Sequence, residues 1–139
     1  MIELDNRVEF LPDLTLIEEI ATSFSDRLIE LIITNNKEIQ VINKEHRGID
    51  KETDVLSFPY EDSPMSPLGS IVISYEFIKS GSNEFKHSAQ DEFTLLFIHG
   101  LLHILGYDHE VDNGEMRKKE EELIKNYSLP KSLIIRNSI

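Results

Sequence analysis

The sequence predicts one domain of the α/β or α+β class, with a sheet of about four strands covered by helices. Helical and strand-like patterns are interspersed along the chain, which favours these mixed architectures. The 139 residues are 40% hydrophobic and 29% charged, which is ordinary globular usage and enough to bury a core. Because no internal repeat, low-complexity tract or linker interrupts the chain, we expect a single domain over residues 1–139.

The first part of the chain alternates predicted strands and helices. Residues 2–8 form the first predicted strand. Thr15 and Glu18 fit a capping box, and apolar residues then recur at helical spacing. Residues 28–33 are rich in β-branched side chains and predict a second strand. Asn35 has the side chain of a helix N-cap and opens a short second helix.

Two further strands are predicted at residues 53–58 and 70–74. Pro59 ends the first of them, and the segment YEDSPMSPLG that follows is a loop. Two prolines and a glycine cannot continue the hydrogen-bond ladder of a sheet.

Two helices are predicted in the last third of the chain. Ser88 opens a long helix that runs to about Leu105, and Gly106 can take the left-handed position that ends it. Asp112 and Glu115 then fit the start of a last amphipathic helix. The long helix is apolar in nearly every direction, so we expect it to lie buried at the centre of the domain.

Three histidines at the end of this long helix predict a metal site. His99 and His103 are four residues apart, on one face of the helix, so both imidazoles can reach one ion. Gly106 lets the chain fold back and deliver His109 as a third ligand. The chain has no cysteine, so imidazole and carboxylate are its only strong ligands for a transition metal. Three protein ligands leave a fourth position for water, as in catalytic zinc sites.

The spacing matches the metzincin protease motif H-E-x-x-H-x-x-G-x-x-H, with one departure. Gly100 stands where those proteases carry the glutamate that acts as general base, which argues against a protease. Two acids are candidates for orienting a ligand imidazole through a hydrogen bond. Glu92 lies on the same face of the helix as the histidines, two turns before His99, and Asp108 lies beside His109. A helix-start acid and a turn residue are the plainer interpretations of these two side chains.

The segment HGLLHILGYDH at residues 99–109 resembles the motif of the YbeY family, the bacterial rRNA maturation factors and endoribonucleases. A second similar segment lies upstream, with NKEHRG at residues 43–48 and TDVLSFP at residues 53–59, followed by Leu68-Gly69. The order, the spacing and the element types agree over about residues 27–127. Both motifs are specific, so the resemblance is close.

The resemblance implies a single α+β domain with a mixed sheet and a central buried helix that carries two of the ligand histidines. It implies one Zn²⁺ on His99, His103 and His109, although Ni²⁺ and other divalent ions also suit three imidazoles. It also implies action on single-stranded RNA, chiefly in maturation of the 16S rRNA 3′ end and in ribosome quality control. The functional arginine of the family falls on Arg47, where a guanidinium would hold the scissile phosphate.

Three neighbours of this arginine are candidate substrate-binding residues. His46 stands where the family usually has an aromatic residue, Lys51 could extend a basic rim, and Ser57 lies on the strand of the second motif. A solvated lysine and a serine that merely supports the fold are the simpler interpretations.

The formal net charge of −12 argues against general affinity for nucleic acid, because such binding depends on neutralising phosphates. We therefore expect recognition through the small ribosomal subunit and its proteins, with no DNA and no membrane as partner. No apolar run is long enough to span a bilayer and no secretory signal is visible, which favours the cytoplasm. Two alternatives remain open, a non-catalytic ribosome assembly factor with a structural metal and a metallopeptidase-like hydrolase.

Overall fold

The computed structural model describes residues 1–137, which form one α+β domain with a four-stranded mixed sheet. The strands are β1 (Ile2–Asn6), β2 (Ile29–Thr34), β3 (Val55–Pro59) and β4 (Gly69–Ser74). The helices are α1 (Thr15–Phe24), α2 (Asn36–Arg47), α3 (Tyr75–Phe85), α4 (Ala89–Ile104), α5 (Glu115–Asn126) and α6 (Ser132–Asn137). The predicted fold class is confirmed.

The sheet has the strand order β1-β2-β4-β3, in which β2 is parallel to both of its neighbours and β3 is antiparallel to β4. All six residues of β4 are buried, as expected for a central strand with helices on both faces. On one face of the sheet, Leu31 and Ile71 pack with α4 in the main core. On the other face, Val72 and Leu56 pack against Ile39 of α2.

Helix α4 is the central element of the fold. Ser88 caps it by accepting a hydrogen bond from the N–H of Asp91 at 3.0 Å, as the sequence predicted. Eleven of its sixteen residues are buried, so the predicted central helix is confirmed. Gly106, with φ 103°, follows its end in the left-handed region where a glycine is favoured. This turn positions the chain that carries His109.

Several details of the predicted boundaries are wrong, among them the strand predicted at residues 53–58, which is β3 (Val55–Pro59) and includes the proline predicted to end it. Strand β1 stops at Asn6 instead of residue 8, because the Asn6 side chain bonds Val8 N–H at 3.2 Å and the Phe10 carbonyl at 2.6 Å. Thr15 is not a cap, since its own N–H is bound by the Asp13 carboxylate at 2.9 Å. The helix predicted to start at Asp112 is α5, which begins at Glu115, after Gly114.

Helices α3 and α6 were not predicted from the sequence. Helix α3 contains Gly81 between two serines, which gives it a weak intrinsic preference for the helix. It is stabilised by burial of Ile78 in the main core. Helix α6 is a short C-terminal element whose Leu133 packs on Leu95 and Ile124. Among the described residues, no helix has the length and apolar character that crossing a bilayer requires.

Candidate metal centre

The imidazoles of His99 and His103 face each other one turn apart on α4. Their Nε2 atoms are 3.1 Å apart and their ring centroids are 4.7 Å apart. Both side chains are half-buried at the end of a helix whose other directions are apolar. The helical spacing thus delivers two nitrogen ligands to one point, as the sequence predicted.

The turn at Gly106 brings His109 to the same point. Its ring centroid is 5.2 Å from the ring of His99 and 5.2 Å from that of His103. One ligand nitrogen from each of the three residues can be chosen so that all three lie within 4.8 Å of one another. His109 is exposed, so the cluster is closed by the helix on one side and open to solvent on the other. The predicted convergence of the three histidines is confirmed.

Hydrogen bonds fix which nitrogen of each α4 histidine faces the cluster. His99 Nδ1 lies 2.7 Å from Glu120 Oε1, and His103 Nδ1 lies 3.0 Å from the carbonyl oxygen of Tyr107. Each Nδ1–H donates to its oxygen, which leaves the Nε2 lone pairs of the two rings directed at each other. Two lone pairs at 3.1 Å repel unless a cation lies between them. Tetrahedral Zn–N bonds of about 2.0–2.1 Å place two nitrogens about 3.3 Å apart. The donor set therefore fits a zinc-type ion.

The electrostatic environment favours the neutral, ligating form of His103. Burial lowers the pKa of this imidazole, and the neighbouring rings of His99 and His109 lower it further. The Tyr107 carbonyl and the Asp108 carboxylate act in the opposite direction and do not reverse the shift. A neutral imidazole is the form that binds a metal ion.

Glu120 of α5 is a site residue that the sequence analysis missed. Its side chain is 1% exposed, and its Oε1 accepts the Nδ1–H of His99. Its Oε2 is buried with no hydrogen-bond partner among the described residues. The signal was present in the sequence, because Glu120 interrupts the apolar stripe formed by Met116, Leu123 and Ile124 on α5. A buried acid within an apolar stripe indicates a partner on a neighbouring element.

Arg47 and the three histidines line one cleft of about 680 Å³, which we call the Arg47 cleft. Arg47 is the last residue of α2, is exposed, and forms no ion pair with any described residue. The cleft is also lined by residues of β3, including Ser57. The fold thus brings the predicted arginine and the predicted metal ligands to one surface.

The other candidate substrate-binding residues take different positions. Ser57 donates its hydroxyl to the Gly100 carbonyl at 2.9 Å, so this group holds β3 against α4. His46 packs its ring against Phe58, with centroids 5.1 Å apart, and does not line the Arg47 cleft. Lys51 is exposed and outside the lining of that cleft.

The two acids predicted as candidate partners of the imidazoles have other partners. Asp108 lines the Arg47 cleft, but its Oδ1 accepts the N–H of Glu110 at 3.0 Å, as in a turn. Glu92 is fully buried and lies 2.7 Å from His87 Nε2 and 3.1 Å from Arg136 Nε. Glu120, and not Glu92, is therefore the carboxylate that orients an imidazole of the histidine cluster.

Gly100 lies at a close contact between α4 and the sheet. A Cβ atom built on it would lie 3.0 Å from Ser57 Oγ, 3.0 Å from Ile71 Cγ2 and 3.2 Å from Val55 Cγ2. The side of the helix at position 100 thus faces β3 and β4. A glutamate there would point into the sheet, so the general base of a metzincin has no space at this position.

Comparison with known proteins agrees with this geometry. A family model described as Endoribonuclease YbeY matches residues 7–128. A protein named Endoribonuclease YbeY from Aliarcobacter butzleri is 59% identical over 99% of this chain and 100% of its own length. Proteins of the same name from Sulfurimonas denitrificans and Campylobacter jejuni are 56% and 51% identical, covering 99% and 98% of this chain and 99% and 97% of their own. A Thermotoga maritima protein of known solution structure superposes with a TM-score of 0.64 and 27% identity, covering 96% of this chain and 89% of its own.

Proposed function

The chain belongs to the YbeY family of endoribonucleases, and from this premise we propose that it cleaves single-stranded RNA in rRNA maturation. The substrate we propose is the 3′ end of 16S rRNA, with a role in ribosome quality control. The whole chain would act as one YbeY-like domain. The observation that carries the proposal is the convergence of three imidazoles with a free guanidinium in one open cleft.

We assign His99, His103 and His109 as the ligands of one divalent ion, with Zn²⁺ preferred because three imidazoles are a common zinc ligand set. When bound, such an ion supplies Lewis acidity to a phosphate oxygen. The chain holds the ligands ready for it. Glu120 and the Tyr107 carbonyl each take an Nδ1–H, which presents the two Nε2 atoms of α4 to the ion.

Arg47 is the residue we assign to the scissile phosphate. A guanidinium binds phosphate oxygens in a bidentate manner and stabilises the charge that develops on them. Arg47 is free of ion pairs with described residues, so no internal carboxylate has to be displaced when RNA binds. Arg47 lines the same cleft as the histidines, so a phosphate bound near the histidine cluster would lie within the cleft that Arg47 also lines.

Recognition of the substrate would require more than charge. With a net charge of −12, the chain has weak electrostatic attraction for naked RNA. We infer that the small ribosomal subunit and its proteins supply most of the affinity, and that the protein works in the cytoplasm, where this substrate is made.

The open side of the cluster favours an enzyme over a non-catalytic assembly factor with a structural metal. Structural zinc sites are closed by four protein ligands, whereas this cluster offers three ligands within residues 1–137, one of them exposed. A metallopeptidase of the metzincin type is disfavoured because Gly100 replaces its general base and faces the sheet.

The proposal is tested with purified protein of measured metal content and a fluorescent single-stranded RNA. Wild type is expected to cleave, and Arg47→Ala is expected to lose cleavage with its metal content and unfolding temperature unchanged. Arg7→Ala is the matched control, because Arg7 is a surface arginine that pairs with Asp5 and Glu38 and does not line the Arg47 cleft.

His103→Ala identifies contamination in the same assay. It is expected to lose both the metal and the cleavage. Cleavage that persists unchanged in Arg47→Ala and His103→Ala would come from another nuclease and would leave the assembly factor as the better interpretation.

A further inference from the structure

A second cleft, of about 380 Å³, adjoins the histidine cluster, and we call it the Arg136 cleft. Its apolar lining comes from Leu95, Leu96 and Met116, and its cations are Arg117 and Arg136. His99, His109 and Asp54 line both this cleft and the Arg47 cleft. The two clefts therefore meet at the proposed metal ligands, with one or more arginines in each.

Arg136 of α6 is held in place by two carboxylates and an aromatic ring. Its Nε donates to Glu92 Oε2 at 3.1 Å, and its Nη2 lies 3.5 Å from Asp54 Oδ2. The guanidinium carbon is 5.2 Å from the centroid of the Phe85 ring. Its Nη1 has no hydrogen-bond partner among the described residues, and the side chain remains 24% exposed. One edge of the guanidinium is thus available to a ligand in the cleft.

The support beneath Arg136 is buried and polar. The Glu92 side chain is fully buried, and its second oxygen lies 2.7 Å from His87 Nε2. His87 is 2% exposed, and its Nδ1 lies 3.0 Å from Ser132 Oγ. A buried ionic network of this kind is a poor source of stability, because the desolvation of its charges offsets their attraction. The network does hold the Arg136 guanidinium in one orientation. Less side-chain entropy is therefore lost when this group binds a ligand.

The three acids that line the same cleft, Asp54, Asp112 and Glu120, each accept internal hydrogen bonds, although Glu120 Oε2 has no partner among the described residues. Glu120 accepts from His99, and the two oxygens of Asp112 accept the N–H groups of Gly114 at 2.8 Å and Met116 at 3.0 Å. Arg117, in contrast, is 53% exposed, and its nearest carboxylate, that of Glu121, is 4.0 Å away. These acids keep their negative charge, so a phosphate contact here depends on the N–H donors that the two arginines present locally and not on a positively charged cleft.

We propose that the Arg136 cleft is a second RNA subsite, which binds a nucleotide adjoining the scissile phosphodiester and contacts its phosphate through Arg136 and Arg117. This inference rests on the proposed ribonuclease function. The volume of the cleft lies at the lower end of the range of about 300–1,000 Å³ for small-molecule sites, which suits a single nucleotide. The arginines provide the phosphate contact, and Leu95, Leu96 and Met116, which are only 3%, 3% and 1% exposed, form the floor of the cleft.

The experiment measures equilibrium binding of a fluorescent single-stranded oligouridylate by anisotropy over a salt series. A chelator is present so that the RNA stays intact. The proteins are wild type, Arg136→Gln, Arg117→Gln and the control Arg7→Gln. Arg7 is matched to Arg136 because it also bonds two carboxylates, Asp5 at 2.8 Å and Glu38 at 2.6 Å, but it lines neither cleft. The unfolding temperature of each variant is measured in parallel.

We expect Arg136→Gln to raise the Kd about tenfold, which is the loss of one charge-assisted contact. The more exposed Arg117→Gln should raise it about threefold. Each should lower the slope of log K against log salt by about 0.7, the value for one phosphate of a single strand. Arg7→Gln should bind like wild type.

If Arg136→Gln and Arg117→Gln both bind RNA like Arg7→Gln, with an unchanged salt slope, the second subsite does not exist. Cleavage by metal-loaded wild type would then leave the proposed function intact. Should Arg136→Gln fail to fold, Arg117→Gln decides, because that side chain has no buried partner: a reduced slope supports the subsite and an unchanged slope overturns it. If wild type binds RNA through this cleft but metal-loaded wild type does not cleave, the proposed activity is wrong and the binding site stands.

Discussion

The hydrogen bond between Glu120 and His99 gives the sharpest test of the proposed metal centre. We predict that Glu120→Gln weakens metal binding about 10- to 100-fold, the usual effect of removing a carboxylate that orients a ligand imidazole. The Glu120 Oε1 atom is 2.7 Å from His99 Nδ1, and the carboxylate is 1% exposed, so water cannot replace it readily. A glutamine is nearly the same size, so the packing of α5 on α4 should survive.

The predicted loss can be converted into stability. A 10- to 100-fold rise in Kd corresponds to about 1.4–2.7 kcal/mol of lost metal-linked stability at saturating metal. For a domain of this size, each kcal/mol shifts the unfolding temperature by about 3–5 °C. The metal-loaded variant should therefore melt about 4–13 °C below metal-loaded wild type. Without metal the difference should be small, because the substitution replaces a buried carboxylate, one oxygen of which has no described partner, by a neutral amide.

Competition titration against a chromophoric zinc chelator measures the Kd, and a thermal melt with and without zinc measures the linked stability. Glu122→Gln is the matched control, since Glu122 lies on the same helix, is 52% exposed and pairs only with Lys119 at 3.3 Å among the described residues. Equal zinc affinity in wild type and Glu120→Gln would refute the role given to this hydrogen bond. A lower affinity in both variants would indicate a general charge effect instead.

Three further outcomes are expected. Removal of bound metal by a chelator should lower the unfolding temperature by about 8–13 °C when the starting metal is near 100 times its Kd, and an unchanged melt would contradict metal binding by the folded protein. Gly100→Glu should lower the free energy of unfolding in urea by about 3–5 kcal/mol and produce no peptidase activity, because the new carboxylate would lie against Ser57 and Ile71. The pKa of Glu38 lies below its ordinary value, chiefly because the Glu38 carboxylate accepts a hydrogen bond from the Thr34 hydroxyl. The stability that this carboxylate contributes is therefore fully present above the pKa of the unfolded state. It is lost as the pH falls through the lower pKa of the folded state. Glu38→Gln should thus cost about 0.5 kcal/mol near neutral pH and nothing in acid, whereas a constant difference across the pH range would show that the charge is irrelevant.

The histidine site was predictable because its geometry is local. His99 and His103 share a face through the helical repeat, and a left-handed Gly106 turns the chain so that His109 returns to them. Both features depend only on residues close together in the segment 99–109. Helix propensity, the glycine and the ligand chemistry therefore act together in one short segment.

The support around the site could not be predicted in the same way, because it is set by packing between distant elements. Glu120 reaches His99 across 21 positions of sequence, and Arg136 reaches Glu92 across 44. Periodicity identifies which face of α5 is buried, but not which residue on α4 that face meets. The error on Glu92 has this origin only in part, because its partner Arg136 is distant in the sequence, whereas its other partner, His87, lies five positions before it.

The glycine that removes the protease base also has a structural reason to be there. The end of α4 must approach β3 and β4 closely, since Ser57 reaches the Gly100 carbonyl at 2.9 Å and a Cβ atom at position 100 would lie 3.0 Å from Ile71. This contact fixes the helix against the strand that lines the Arg47 cleft, and so fixes the distance between the histidines and the surface on which RNA would lie. A metzincin helix needs a free direction for its glutamate at this position. Here that direction is used for packing on the sheet, so the same histidine spacing serves a cleft in which we propose that an arginine, rather than a carboxylate, meets the substrate.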